Sequence, residues 1–244
     1  MIFVLVALVA MAGGLIHSVT GFGSGVIMML FLPYFVDMVT APALSSAISV
    51  GVFIMLSWNF RKYIDWKISV IPTVSYLACS LPIISLVKGL NLDMLSLVFG
   101  FFLIVLSVYF FVFAKNMKVV PNWKTAVVCG SLSGVTSGFF GIGGPLLAIY
   151  FVSATDSKEA YIGNLQFLFA VTNVVNLIMR ISKGIYTVDL IPLTIVGFVG
   201  INLGKRMGLK ILDRMNIDVM RKCIYAFVGV SGIIKVAQEL AAML

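Results

Sequence analysis

Short polar segments divide this chain into ten long apolar runs, and these runs constrain its fold more than any other feature. The runs lie at about 2–17, 21–36, 41–58, 66–88, 94–114, 122–137, 138–153, 160–180, 188–204 and 219–238. Of the 244 residues 61% are hydrophobic and only 11% are charged, whereas soluble domains are about 25% charged. A soluble fold of this composition would expose large apolar patches to water. The sequence therefore predicts an all-α integral membrane protein with about eight to ten membrane segments, and argues against a soluble enzyme.

Basic residues outnumber acidic ones by 17 to 9, which gives a net charge of +8. They fall in the short segments between apolar runs, a pattern typical of residues that set membrane topology and not of a nucleic-acid-binding face. Cys79, Cys129 and Cys223 lie inside apolar runs without CxxC spacing, so the sequence predicts no disulfide, no metal site and no cofactor. The opening MIFVLVALVA has no basic region before it, and we expect it to be part of the folded chain and not a cleaved signal peptide.

Two pairs of neighbouring runs are joined by glycine-rich segments. The first pair joins through GFGSG (21–25) and the second, the sixth and seventh runs, through GFFGIGG (138–144). Each arm has about 16 residues and spans roughly 24 Å as a helix, against a hydrocarbon core of about 30 Å. Each pair is too long for one straight span and short for two, so the sequence predicts two helical hairpins broken at glycine.

The two halves of the chain resemble each other at an offset of about 120 positions. Glycines and an Ile-Pro pair recur at this offset: Gly14 and Gly134, Gly21 and Gly141, Gly23 and Gly143, Ile71-Pro72 and Ile191-Pro192. We interpret the chain as a duplication with repeats at 1–118 and 119–244, joined by the basic linker KNMKVVPNWK. Each repeat is predicted to contain one broken hairpin and three transmembrane helices.

The distribution of basic residues predicts that the second repeat is inverted. If each broken pair enters and leaves on the same side, thirteen basic residues face one side: Arg61, Lys62, Lys67, Lys115, Lys118, Lys124, Lys158, Lys205, Arg206, Lys210, Arg214, Arg221 and Lys222. The other side then receives Lys88, Arg180, Lys183 and Lys235. If each broken pair crossed once instead, the split would be nine against eight. Because basic residues accumulate on the cytoplasmic side, we predict a multi-pass protein of the cell membrane with both termini outside.

Both glycine-rich turns lead into a new helix, which is the geometry of an anion site. Gly23, Ser24 and Gly25 precede the second run, and Gly143 and Gly144 precede a proline suited to a first helical turn. Free N–H groups at a helix N-terminus attract negative charge, and glycine has no Cβ to keep a ligand away from the backbone. Short, glycine-interrupted segments at matching positions of two halves also mark transporter binding sites. The alternative is that these glycines only let helices pack closely.

Polar side chains inside the apolar runs are the other candidate substrate contacts. They comprise two hydroxyl residues beside the turns and four amides on the eighth run: Thr20, Ser137, Asn164, Gln166, Asn173 and Asn176. In a membrane such groups face the protein interior, where they either contact substrate or join helices by hydrogen bonds. Gln166, Asn173 and Asn176 share one helical face.

Three ionisable residues near the run ends have separate interpretations. His17 is the only histidine, and its position beside the first turn makes it a candidate proton carrier, the alternative being a packing role. Arg180 and Lys183 stand at the end of a run and are expected to reach the membrane interface by snorkelling. HExxH, GxSxG and P-loop motifs are absent from the sequence, which argues against enzymatic chemistry and against ATP-driven transport by this chain.

Four segments carry a resemblance to a known family. They are GLIHSVTGFGSGVIMMLFLP (14–33), GVTSGFFGIGGPLLAIYF (134–151), KEAYIGNLQFLFAVTNVVN (158–176) and GINLGKRMGLKILDRMN (200–216). Together they resemble the TauE/SafE sulfite exporter family of bacterial and archaeal permeases, and the resemblance covers essentially the whole chain. The first segment differs in having Ser24 where a further glycine is usual.

The resemblance implies secondary transport of a small sulfur-containing anion such as sulfite, thiosulfate or an organosulfonate. Combined with the broken hairpins, it predicts alternating access about the two glycine-rich tips. The expected partners are this anion, the lipid bilayer and a coupling proton. Two alternatives stay open at this point: a membrane scaffold or assembly subunit without transport, and an anion channel. The sequence leaves the anion, the direction of transport and the oligomeric state undetermined.

Overall fold

The computed structural model describes residues 1–112 and 119–212, together with residues 230, 232–234, 236–238, 240 and 241. Nine helices form in the first two ranges: α1 (Ile2–Thr20), α2 (Ser24–Phe31), α3 (Thr40–Asn59), α4 (Trp66–Val87), α5 (Leu92–Val112), α6 (Trp123–Phe140), α7 (Gly144–Ala154), α8 (Lys158–Ser182) and α9 (Ile191–Leu212). Short 3₁₀ turns lie at Leu32–Tyr34, Arg61–Tyr63 and Val188–Leu190. The described residues contain no strand. Residues 115–118 of the predicted linker, Cys223 and most of the tenth run lie outside the described residues.

Five of these helices are long and apolar enough to cross a membrane. The candidate spans are Thr40–Asn59, Trp66–Val87, Leu92–Tyr109, Lys158–Ser182 and Val188–Gly208. The apolar segments Ile2–Ser18, Ser24–Tyr34 and Gly144–Ala154 are shorter than a full span, as the sequence predicted for three of the hairpin arms. The all-α membrane class is confirmed, whereas the inverted repeats at 1–118 and 119–244 stay a prediction.

Both predicted helix breaks are present. Helix α1 ends where Gly21 adopts a left-handed conformation with φ of 77°, and α6 ends in the same way at Gly141 with φ of 68°. At each end the glycine N–H donates to a carbonyl four residues earlier, His17 in α1 and Ser137 in α6. Only glycine adopts this backbone conformation without strain. The second break lies three residues later than the apolar runs indicated.

The described helices belong to two compact units. The first unit contains residues 1–88 and 119–209, and therefore α1 to α4 and α6 to α8 with most of α9. The second unit contains residues 89–118 and 210–244. Within it, α5 packs closely on the helical residues near 232, because a Cβ placed on Gly232 would lie 2.9 Å from the Gly100 carbonyl oxygen.

Two glycine seams bring helix backbones together in the first unit. On α6, three glycines spaced four apart face α4 at Pro72, Tyr76 and Ser80: Gly130, Gly134 and Gly138. On α9, three glycines with the same spacing face α1 at Ala7, Met11 and Leu15: Gly200, Gly204 and Gly208. At each of these positions a Cβ would collide with the facing helix. These six glycines therefore let helices pack closely, whereas Gly21 and Gly141 end their helices as turn residues.

Two basic residues lie in places that the sequence analysis did not anticipate. Arg180 was expected to snorkel, but it is 1% exposed and is the largest fully buried side chain. The reason is that the Arg180 guanidinium donates to the Ser137 and Gly138 carbonyl oxygens near the end of α6, inside the protein and not at the membrane interface. Lys205 was assigned to a loop, but α9 continues to Leu212 and places this residue inside the helix, 8% exposed.

Candidate functional site

The two glycine-rich turns contact each other inside the first unit. A Cβ on Gly25 would lie 2.8 Å from the carbonyl oxygen of Gly141, and a Cβ on Gly144 would lie 2.9 Å from the Cβ of Phe22. The absence of these side-chain atoms lets the turn after α1 pack directly against the turn after α6. The two turns therefore meet in the interior of this unit.

A cavity of about 40 Å³ lies where the turns meet. Its walls come from both turns and from α3, α4 and α8: His17, Phe22, Gly23, Ser24, Gly25, Val26, Ser45, Ser46, Ser49, Phe53, Tyr76, Gly141, Ile142, Gly143, Gly144, Phe169 and Asn173. Helices α2 and α7 begin at this cavity, and neither N-terminus is capped by a side chain. The first N–H groups of a helix have no partner within the helix. The cavity therefore lies at two helix ends that favour negative charge.

The structure brings seven of the predicted site residues to the cavity and leaves five away from it. The seven are His17, Gly23, Ser24, Gly25, Gly143, Gly144 and Asn173. The five are Thr20, Ser137, Asn164, Gln166 and Asn176. Each of these five takes part in contacts that hold the helices around the cavity.

Three serines of α3 contribute to the cavity and were missed by the sequence analysis. Ser45, Ser46 and Ser49 are all buried and line its wall. The Oγ atom of Ser49 is buried and has no hydrogen-bond partner. A buried hydroxyl without a partner is costly, and in proteins it usually has a functional reason. The available signal was the pattern SSAIS in an apolar run, which puts Ser45 and Ser49 one helical turn apart on the same face.

His17 is held at the cavity wall by two neighbours. Its Nδ1 atom lies 3.3 Å from Ser24 Oγ, and its Nε2 atom lies 3.3 Å from Gln166 Oε1. Its ring packs against Phe53 with 5.2 Å between the ring centroids. Gln166 also donates from Nε2 to the carbonyl oxygen of Gly21 at 2.7 Å. Gln166 thus joins α8 to the end of α1 and orients the imidazole.

Thr20 and Ser137 support the two turns without lining the cavity. The Thr20 hydroxyl bonds to the carbonyl oxygens of Ile16 and Phe22, and the Phe22 N–H donates to Thr20 Oγ1. Ser137 lies one turn before the α6 break, where its side chain hydrogen bonds with Tyr76. These contacts connect each turn to the helix that precedes it or faces it.

Asn164 and Asn176 join α8 to α4. The Asn164 side chain makes four hydrogen bonds, accepting from Asp65 N–H and Ser69 Oγ and donating to two carbonyl oxygens. The Asn176 Oδ1 atom accepts from Ser80 Oγ at 2.8 Å. Both amides are buried. Their role as helix-to-helix contacts is the alternative that the sequence analysis left open.

Asn173 differs from the other amides of α8. It lines the cavity and is half-buried, and its side chain makes no hydrogen bond to any described residue. An amide offers two donors and an acceptor. Asn173 is therefore available to a molecule in the cavity.

The two turn glycines differ in backbone conformation. Gly23 has φ of 102°, and a Cβ there would lie 3.2 Å from Ile16 Cγ2 on the same hairpin. Gly143 has φ of −122°, which any residue adopts, but a Cβ there would lie 2.6 Å from the ring of Tyr76. A side chain at Gly23 would strain the backbone, whereas one at Gly143 would press on a wall of the cavity.

The charges buried in the described structure are positive. Among the described residues Arg180 and Lys205 are buried, and every described aspartate and glutamate is at least partly exposed. Moving an unpaired charge out of water is unfavourable unless opposite charge or oriented dipoles receive it. A cavity between two helix N-termini, with hydroxyl and amide donors and without a carboxylate in its wall, can receive a small anion.

Comparison with known proteins gives a family match. The family model described as "Sulfite exporter TauE/SafE" matches residues 6–234. No curated protein and no solved structure matches the chain.

Proposed function

The chain belongs to the TauE/SafE sulfite exporter family, and from this premise we propose that it is a secondary transporter of a small inorganic sulfur oxyanion. The family consists of membrane transporters, and the helices described above are those of a multi-pass membrane protein. The proposed cargo is sulfite or thiosulfate, and the proposed binding site is the cavity at the two turns.

The observation that carries the proposal is the wall of this cavity. The cavity is lined by four groups that can donate hydrogen bonds: two uncapped helix N-termini, the Ser49 hydroxyl and the Asn173 amide. Oxyanions accept several hydrogen bonds, and bonds to a charged acceptor are stronger than those between neutral groups. We propose that the anion binds to the N–H groups at Gly25 and Gly144, with Ser49 and Asn173 as side-chain donors.

The size of the cavity favours an inorganic anion over an organosulfonate. A cavity needs about 10–15 Å³ of accessible space to hold one water molecule. The 40 Å³ of this cavity therefore corresponds to a few water-sized positions. Sulfite and thiosulfate consist of one sulfur centre and its substituents. Taurine and sulfoacetate carry a carbon chain in addition and therefore need more space.

We propose that the cavity opens alternately to the two sides by movement of the hairpins. The support for this is that both turns are glycine-rich and contact each other at the cavity. Non-helical backbone at membrane depth occurs where it lines a cavity, and transporters with internal repeats bind their substrates at such places. The inverted arrangement of repeats 1–118 and 119–244, with both termini outside, belongs to this proposal.

His17 is the proposed coupling group. It borders the cavity, and both of its ring nitrogens have polar neighbours, Ser24 and Gln166. Imidazole is the side chain whose proton exchange occurs nearest to neutral pH. We propose that a proton taken up at His17 accompanies the anion.

The decisive experiment measures uptake of ³⁵S-labelled sulfite and thiosulfate into proteoliposomes that contain the purified protein. We expect saturable uptake that is accelerated when unlabelled thiosulfate is present inside the vesicles. Ser49→Ala should weaken the apparent affinity roughly tenfold to hundredfold, because one hydrogen bond to a charged group is lost. Ser75→Ala is the matched control, since Ser75 is half-buried, lies outside the cavity wall and bonds only to the Ile71 carbonyl of its own helix.

Three results would contradict the proposal in different ways. Absence of flux for every sulfur anion would favour a membrane scaffold. Flux that neither saturates nor responds to internal anion would favour a channel. Equal effects of Ser49→Ala and Ser75→Ala would mean that the anion binds elsewhere.

A further inference from the structure

Arg180 is a buried cation whose hydrogen-bonding capacity is mostly unused. It is 1% exposed, and its Nη2 atom donates to the carbonyl oxygens of Ser137 and Gly138 at 3.1 and 3.0 Å. The Nε and Nη1 atoms are buried and have no hydrogen-bond partner among the described residues. A guanidinium has five N–H donors, so three donors of this side chain are unpaired.

The contact with α6 explains only part of this arrangement. A cation at a helix C-terminus binds the last carbonyl oxygens and interacts well with the helix dipole, typically by about 0.3–1 kcal/mol and up to about 2 kcal/mol. The free energy needed to bury a guanidinium with unpaired donors is larger than the stabilisation that this contact contributes. Within the described residues, no aspartate or glutamate pairs with Arg180. A purely structural role therefore leaves both the charge and the three donors unaccounted for.

Tyr76 connects Arg180 to the cavity. The tyrosine lines the cavity and is 2% exposed. Its backbone packs against Gly134, one turn before the Ser137 carbonyl oxygen that Arg180 holds. On α8, Asn173 at the cavity and Arg180 are seven positions apart, which places them on one helical face. Arg180 is therefore connected to the cavity wall through both α6 and α8.

We propose that Arg180 forms a second anion-binding position on the transport path, separated from the cavity by Tyr76, which takes up the oxyanion when the Gly141–Gly143 turn moves. This proposal rests on the transport function proposed above. The mobile element is the end of α6, because the Ser137 and Gly138 carbonyls that hold Nη2 lie directly before the turn. The ligand chemistry is that of a divalent oxyanion, for which an unpaired guanidinium is a strong partner.

The test compares Arg180→Gln and Arg180→Lys with wild type, and uses Lys183→Gln as the control. Lys183 is an exposed cation three residues further along the chain. For each variant we would measure ³⁵S-thiosulfate uptake, its inhibition by the monovalent anion nitrate and by the divalent anion sulfate, and thermal stabilisation of the purified protein by thiosulfate. Uptake is normalised to folded protein.

We expect Arg180→Gln to lower uptake at least tenfold and to abolish the preference for sulfate over nitrate as inhibitor. Arg180→Lys should keep this preference, because the charge is retained, with a KM for thiosulfate at least threefold higher, because fewer donors are present. Lys183→Gln should behave as wild type. If Arg180→Gln does not fold, the proposal is decided by two measurements on Arg180→Lys: its KM for thiosulfate and its preference for sulfate over nitrate as inhibitor.

The outcomes separate this proposal from the general one. Wild-type uptake together with an unchanged sulfate preference in Arg180→Gln, or an unchanged KM in Arg180→Lys, would overturn the second site and leave the transport function standing. Stabilisation by thiosulfate that depends on Arg180, without any flux, would support the anion site and overturn the transport function. Neither flux nor stabilisation in wild type would overturn both.

Discussion

Two asparagines on α8 should respond in opposite ways to the same substitution. Asn164 and Asn173 are both asparagines of α8. The Asn164 side chain makes four hydrogen bonds, whereas the Asn173 side chain lines the cavity and makes none to a described residue. We expect Asn164→Ala to reduce stability and Asn173→Ala to reduce anion affinity. The pair therefore tests whether the hydrogen bonds of this helix distinguish structural from ligand-binding amides.

The magnitude for Asn164 follows from its partners. Ser69 is 0% exposed, so the loss of Asn164 Oδ1 leaves a buried hydroxyl without its acceptor at 2.7 Å. An orphaned buried group costs about 1–3 kcal/mol, and an ordinary hydrogen bond contributes about 0.5–1.5 kcal/mol. The other three partners include exposed residues that water can reach. We therefore expect a loss of about 2–4 kcal/mol in the free energy of unfolding.

For Asn173 the same reasoning gives a different result. Alanine removes no hydrogen bond to the described residues, so the free energy of unfolding should change by less than about 1 kcal/mol. One lost hydrogen bond to a charged ligand is worth about 1.5–3 kcal/mol, which corresponds to roughly a tenfold to hundredfold weaker affinity.

The assay combines thermal unfolding of the purified variants with equilibrium binding of ³⁵S-thiosulfate. The expected pattern is a lowered melting temperature with near-normal affinity for folded Asn164→Ala, and the reverse for Asn173→Ala. The reasoning would be refuted if both variants lost stability equally, or if Asn173→Ala bound thiosulfate as tightly as wild type.

Three further substitutions test other parts of the structure. Gly23→Ala should cost about 1–3 kcal/mol of stability, because φ of 102° strains any side chain; a melting temperature equal to that of wild type would contradict this. Gln166→Ala should weaken thiosulfate binding and also lower stability by about 1–3 kcal/mol, because it removes the hydrogen bonds to His17 and to the Gly21 carbonyl. An unchanged melting temperature would mean that these two bonds do not stabilise the fold. Val120→Cys should be labelled by an impermeant thiol reagent only in opened cells, since Val120 is 72% exposed and lies in the linker that is predicted to be cytoplasmic; labelling in intact cells would invert the topology.

The helices themselves were largely predictable from the sequence. Runs 41–58 and 66–88 correspond to Thr40–Asn59 and Trp66–Val87, because charged or polar segments flank both runs and stop the apolar pattern. The position of the second turn was less accurate, since every residue from 138 to 144 is apolar or glycine. In such a segment the left-handed residue is selected by what packs around it, here Pro42 against Gly141.

The roles of individual polar residues could not be assigned in the same way. Asn164 and Asn173 are the same residue type in one apolar run, and the partners that separate them include Ser69, 95 residues before Asn164. Arg180 at the end of an apolar run has the pattern of an interfacial anchor. Its burial depends on contact with α6, which involves residues more than 40 positions earlier. These roles are set by tertiary contacts that periodicity does not report.

The seam between α1 and α9 has a consequence for how the chain is synthesised. Gly14 faces the backbone of Ile201, so the surface of α1 that carries Gly14 has its partner 187 residues later, counted as 201 minus 14. At about 5–20 residues per second, translation takes roughly 10–40 s to deliver that partner. During this interval the first hairpin arm resides in the membrane or the insertion machinery with its small-residue face covered by something other than α9. Helix α1 can therefore reach its final packing only after α9, 187 residues later, has been synthesised.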